Sequence, residues 1–141
     1  NKIIYNKRNL IIINDSKSTS FSSTIGLLSS YKSIYWIVGG MSKKGDTFRL
    51  NKKYYKNISA YIIGLSKNFF MSEFKNKIKF KYLKYLKKTV LKIREEIKND
   101  TKLKIILFSP AAASFDQFNN FEDRGKYFNK LIKKLFKKKY D

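Results

Sequence analysis

The side chains able to do chemistry in this chain fall in three short segments far apart in sequence. Asn14–Thr19 (NDSKST) carries Lys17 and Thr19, Gly39–Phe48 (GGMSKKGDTF) carries Lys43 and Lys44, and Phe108–Gly125 (FSPAAASFDQFNNFEDRG) carries Ser114. Ammonium groups and hydroxyls make charge-assisted hydrogen bonds to carboxylate and phosphate oxygens. Where such a segment ends a strand and opens a helix, backbone N–H groups add to the same preference for anions. The set suits a small ligand with more than one carboxylate or phosphate. Histidine and cysteine are absent, which removes the usual general base, thiolate chemistry and the commonest transition-metal ligands. No paired carboxylate stands out as an acid/base couple, and no metal ligands are assigned. Catalysis in such a site works by positioning and charge stabilisation.

Each segment also has a plainer reading. Asn14–Thr19 can be a hydrophilic strand-to-helix turn with a serine or threonine as N-cap. Gly39-Gly40 followed by lysines can let the backbone approach a ligand while Lys43 supplies charge, but an ordinary turn is the favoured reading. The third segment is more unusual. It contains the only proline, Pro110, and the stretch from Ile105 to Gly125 has no lysine in a lysine-rich chain. Ala111–Ala113 are small enough for the backbone to pass close to a ligand. Phe121 can wall a pocket or anchor a helix, and Phe118 reads as core. Asp116 and Glu122 can orient donors or cap the helix. Arg124 reads as a structural ion-pair partner of Asp116, Glu122 or Asp123.

The formal charge of +22 invites a basic nucleic-acid-binding module as an alternative. Mutational bias accounts for it more simply. Lys, Asn, Ile, Phe and Tyr have AT-rich codons and are abundant, while Ala, Gly, Pro and Arg are scarce. Arginine, the preferred base-reading residue, is rare, so no specific nucleic-acid partner is expected. No apolar run approaches the roughly 18 residues of a membrane span. The opening NKIIYNKRN lacks the apolar core of a signal peptide, so a cytoplasmic location is expected.

Positioning these segments requires a framework, and 141 residues suffice for one domain. Continuous apolar runs mark buried strands at Leu10–Ile13, Ile34–Val38, Ser59–Ile63 and Leu103–Phe108. Lys2–Tyr5 reads as a hairpin partner of the first, and Ile78–Tyr82 as an edge strand with alternating lysines. Helical spacing predicts Ser22–Ser30 with Ile25, Leu27 and Leu28 inward, Ser66–Phe74, Leu83–Ile97, and a last helix from Asn120 with Asp123 as capping partner. Phe128, Leu131, Ile132 and Leu135 form that helix's inward stripe. Strands alternating with helices imply an α/β, three-layer, Rossmann-like fold. Its sheet is mostly parallel, with an antiparallel N-terminal edge hairpin and helices on both faces. The three chemical segments all follow parallel strands, so they converge on the carboxyl edge of the sheet, where ligands bind.

INDSKST (Ile13–Thr19), VGGMSKKGDTF (Val38–Phe48), AYIIG (Ala60–Gly64) and FSPAAASFDQFNNFEDRGKYF (Phe108–Phe128) resemble the C-terminal domain of the UDP-N-acetylmuramoyl-L-alanine:D-glutamate ligases. These are the D-glutamate-adding Mur ligases of peptidoglycan synthesis. The resemblance covers nearly the whole chain, and the SPAAASFDQF-type motif argues against a Mur ligase that adds another amino acid. It implies that ATP phosphorylates a substrate carboxylate and that the amine of D-glutamate attacks the acyl phosphate. By motif position, Thr19, Lys43, Ser114, Phe121 and the Phe115 backbone would surround D-glutamate, with Lys44 as substitute for Lys43. Asp15 and Lys17 would face the nucleotide, Lys17 as the catalytic cation. No phosphate-loop motif is present. The expected protein therefore has further UDP-binding and ATP-binding domains, the latter holding most of the ATP and Mg2+ contacts. The 141 residues alone are expected to be inactive.

Overall fold

A computed structural model describes residues 1–114 and 117–136. The chain opens with a hairpin of β1 (Lys2–Lys7) and β2 (Leu10–Asn14). Arg8 and Asn9 close it with positive φ values of 51° and 65°. After a 3-10 turn at Phe21–Ser23 come α1 (Ile25–Leu28), β3 (Ile34–Gly39), a second 3-10 segment at Lys52–Asn57 and β4 (Ile58–Ile63). Then follow α2 (Lys67–Phe74), β5 (Lys79–Lys84), α3 (Leu86–Ile97), β6 (Lys104–Phe108) and α4 (Phe121–Leu135). The strands form one sheet in the order β1-β2-β6-β3-β4-β5. Only β1 is antiparallel to its neighbour. This is the α/β sheet with an edge hairpin that the sequence pattern implies.

The period-two alternation of side chains divides the core between the two faces. Trp36, Val38, Ile62 and Leu107 lie on one face with Leu28, Phe70 and Phe74 of α1 and α2. Ile37, Ile63, Ile106 and Phe108 lie on the other with Val90, Ile93, Phe128 and Ile132 of α3 and α4. Because both faces are covered, the central strands read as unbroken apolar runs. Phe21 anchors an aromatic cluster beneath the first face, 5.3 Å from Phe48 and 5.7 Å from Phe70 between ring centroids.

Several local expectations shift. The predicted Leu83–Ile97 helix begins at Leu86, because β5 runs on to Lys84 and Gly64 N–H donates to the Lys84 carbonyl at 2.8 Å. Sheet pairing thus outcompetes helical periodicity over Leu83. Ser22–Ser30 breaks into a 3-10 turn and the short α1, leaving Ile25 and Leu27 half-buried. Leu103 lies outside β6 and is exposed, whereas Lys104 is buried at the strand's first position. Its Nζ reaches back to the carbonyls of Asp100 and Lys102 at 2.5 and 2.7 Å, which satisfies the buried charge.

On the face covered by α3, Glu96 accepts hydrogen bonds from Tyr61 Oη (2.6 Å) and Lys81 Nζ (2.5 Å). Burial by itself would raise the Glu96 carboxyl. The hydrogen bonds from Lys81 and Tyr61, with the Lys81 and Lys92 charges, outweigh burial and hold it below its ordinary value. A carboxyl depressed in the folded state stabilises the fold above its unfolded pKa, and that contribution is lost as pH falls through the folded value. Glu96→Gln should therefore cost about 1 kcal/mol at pH 7. The gap from wild type should close below about pH 4, as urea unfolding across pH would measure.

Candidate anion-binding rim

The strand order brings the chemical segments together. β2, β6 and β3 are adjacent and parallel, so the loops leaving their carboxyl ends are neighbours on one rim. Each pair of loops is joined directly. Between the first and third, Asp15 N–H donates to Phe108 O at 2.7 Å, and Ser109 Oγ donates to Asp15 Oδ2 at 2.7 Å. Ser18 Oγ accepts from Ala111 N–H at 2.9 Å and hydrogen-bonds Ser109 Oγ at 3.0 Å. Between the second and third, Gly39 N–H donates to Pro110 O at 2.8 Å, and Met41 pairs with Ala113 through bonds of 2.8 and 2.9 Å. Between the first and second, Phe21 N–H donates to Asp46 Oδ2 at 2.9 Å.

The unusual residue types have structural causes. Gly39 and Gly40 sit at φ +130° and +138°, a region L side chains rarely adopt. A Cβ on Gly39 would lie 2.1 Å from Ile63 O, and one on Gly40 would lie 2.5 Å from Ala113 O. Gly39 thus lets β3 end close against the β4 backbone, and Gly40 lets the second loop pass close to the third at Ala113. Trp36 Nε1 donates to Ser109 O at 2.7 Å from within the core, fixing the third loop from below.

The helix after the third loop holds the first loop from the side. Asn120 caps α4 by accepting from Asp123 N–H at 2.8 Å, as the sequence indicates. Arg124 is buried, and its guanidinium donates to Ser16 O from Nε (3.2 Å) and Nη2 (2.9 Å) and to Ser18 O (3.1 Å). The rigid fork suits adjacent carbonyls. These loop partners, more than a hundred positions away, were not readable in the sequence. Asn14 Nδ2 donates to Gly125 O at 3.0 Å and Asn129 Oδ1 at 2.7 Å. Gly125 leaves room for Ser16, since a Cβ there would lie 2.4 Å from Ser16 Oγ and require that hydroxyl to rotate away.

On this clamped frame, Lys17, Thr19, Lys43 and Lys44 are exposed, Ser114 is buried, and Phe121 is half-buried at the first position of α4. Ser114 O accepts from Gln117 N–H (3.2 Å) and Phe118 N–H (2.9 Å), starting the turn into α4. Phe118 packs half-buried in the core, its ring 5.5 Å from that of Tyr127. Phe115 and Asp116 lie outside the described residues. Asp15 is buried at the base of the first loop; burial pushes its carboxyl above the ordinary value against the lowering effect of the Ser109 hydroxyl. Among the described residues no cluster of three or more His, Cys, Asp or Glu could hold a metal. None of the helices there is long and apolar enough to cross a membrane.

Sheet, loops and charge define a Rossmann-like α/β domain with cationic and hydroxyl groups presented at its carboxyl edge. No family model matches the chain. It is 40% identical over 136 residues to a UDP-N-acetylmuramoylalanine–D-glutamate ligase of Wolbachia sp. subsp. Brugia malayi (strain TRS), covering 96% of this chain and 27% of that protein. A ligase of the same name from Wolbachia pipientis wMel is 37% identical over 96% of the chain and 26% of its own length. One from Hydrogenobaculum sp. (strain Y04AAS1) is 39% identical over 89% of the chain and 30% of its own length. The chain is a homologue of the UDP-N-acetylmuramoylalanine–D-glutamate ligases, corresponding to a C-terminal part of them. It spans between a quarter and a third of the length of these curated relatives.

Proposed function

We propose that residues 1–141 form the D-glutamate-presenting C-terminal domain of an ATP-dependent ligase. That ligase joins D-glutamate to UDP-N-acetylmuramoyl-L-alanine in the cytoplasmic stage of peptidoglycan synthesis. The observation that carries this reading is the rim, where three mutually bonded loops carry Lys17, Thr19, Lys43 and Ser114 on one edge of the sheet. The names of the relatives support the same substrate.

Lys43 neutralises one carboxylate of D-glutamate, and Thr19 and Ser114 donate hydroxyl hydrogen bonds to the pair. Phe121 walls the pocket. The Phe115 backbone is assigned to the same wall by motif position. Holding both carboxylates leaves the amine as the group free to attack an activated acyl carbon, so this chain contributes orientation and charge neutralisation. Lys17 faces the nucleotide phosphates as the catalytic cation, above the buried Asp15 that fixes its loop. ATP would supply activation of the acyl carboxylate. The chemistry of the donors here suits phosphate contact but not a magnesium site, so Mg2+ and most ATP contacts belong to the ligase's central domain.

The test is phosphate release from ATP. The complete ligase should release it only when both D-glutamate and the UDP-linked substrate are present. The 141-residue chain alone should release none above background. Turnover by the chain alone, or a complete enzyme indifferent to D-glutamate, would overturn the reading.

A further inference from the structure

Asp46 ties the Lys43 turn to the segment that carries Thr19. Its N–H donates to Lys43 O at 3.1 Å and closes that turn. Its half-buried carboxylate accepts from Thr47 N–H at 3.0 Å through Oδ1 and from Phe21 N–H at 2.9 Å through Oδ2. Phe21 stands two residues after Thr19 and is held under the first face of the sheet by Phe48, Phe69, Phe70 and Phe74. The next part of the loop is fixed as well, because Phe48 N–H donates to Glu73 Oε1 at 2.7 Å and Lys77 Nζ donates to Phe48 O at 3.1 Å. A continuous path therefore runs from the Lys43 carbonyl through Asp46 to the Phe21 amide and so to Thr19. Lys43 and Thr19 are both exposed, and packing of their own side chains does not hold them in place.

We infer that Asp46 is a positioning residue that sets the spacing between Lys43 and Thr19. This rests on the D-glutamate reading of the rim. A ligand with two carboxylates, separated by an α-carbon and two methylenes, needs its two anchors at a fixed distance. Asp46 is the bond between the loops that bear them. Its negative charge is taken up by two backbone amides, so the residue fixes the site without competing for Lys43.

Asp46→Ala removes both acceptors, whereas Asp46→Asn keeps one carbonyl oxygen. In the complete ligase, Asp46→Ala should raise the KM for D-glutamate about tenfold or more, with kcat and the KM for ATP within about twofold of wild type. Asp46→Asn should recover part of the loss, to about threefold above wild type. If Asp46→Ala does not fold, the Asn variant carries the test by the same KM-against-kcat split. An unchanged D-glutamate KM in a folded Asp46 variant, or equal losses for ATP and D-glutamate, would overturn the positioning role. A wild-type ligase without D-glutamate-dependent turnover would instead overturn the functional reading beneath it.

Discussion

Lys43→Ala and Ser114→Ala in the complete ligase should each lower kcat/KM for D-glutamate by roughly 10- to 100-fold while leaving the fold intact. Hydrogen bonds to charged groups contribute about 1.5–3 kcal/mol, and each 1.4 kcal/mol corresponds to tenfold. The lysine change removes a full charge opposite a carboxylate, so its loss should sit near the upper end and appear mainly as raised KM. Lys43 is exposed and at the tip of a loop, so its removal leaves no cavity. Ser114 is buried where the third loop turns toward α4, but serine to alanine deletes a single oxygen and leaves its backbone turn intact. Steady-state kinetics with D-glutamate varied, beside thermal melts of each variant, would separate binding from folding. Normal D-glutamate kinetics in both variants would remove the site assignment. Lys44→Ala is the internal comparison, since the two lysines are adjacent and a transferred effect would make Lys44 the carboxylate partner.

The second large effect concerns stability. Gly39→Ala should destabilise the chain by roughly 3–5 kcal/mol, a large part of the 5–15 kcal/mol typical of a domain. The φ of +130° is strained for alanine, and the added carbon would lie 2.1 Å from the Ile63 carbonyl oxygen. That oxygen is sheet backbone and cannot swing aside. Gly40→Ala faces the same kind of obstacle, at 2.5 Å from Ala113 O, and would push apart the Met41–Ala113 bridge. Two other glycines serve as controls. Gly45 has φ +79° with open space where a Cβ would stand, so alanine there should cost about 1 kcal/mol for conformation alone. Gly26 lies in α1 with open space around it, and alanine there should be neutral or stabilising by up to about 1 kcal/mol. Urea unfolding of the four variants would rank them, and a Gly39 variant as stable as the Gly45 variant would contradict the close approach.

The glycines show how far sequence reading reaches. Gly39-Gly40 beside lysines suggested either a turn or a backbone open to a ligand. The structure gives them a packing task, Gly39 against the β4 backbone at Ile63 and Gly40 against the third loop at Ala113. Arg124 is similar. Its sequence context suggested a structural ion pair with Asp116, Glu122 or Asp123, and the structure adds bonds from its guanidinium to the carbonyls of Ser16 and Ser18. Leu83 fitted a helical stripe but belongs to β5, because a strand's neighbours are not encoded in its own periodicity. Asp46 carried no motif signal apart from its place in the loop, and its value lies in a partner 25 positions away.

The sequence by itself determined the succession of most strands and helices, the apolar faces that meet in two layers of core, and the cap at Asn120. Those follow from local rules: side-chain periodicity, turn chemistry and the hydrogen-bonding capacity of each residue. Only the tertiary structure decided that β6 inserts between β2 and β3, and hence that loops from both ends of the chain bond to one another. The reason is physical. Strand order is set by backbone hydrogen bonds and buried polar contacts between residues distant in sequence, and these exist only once the sheet has closed around its core.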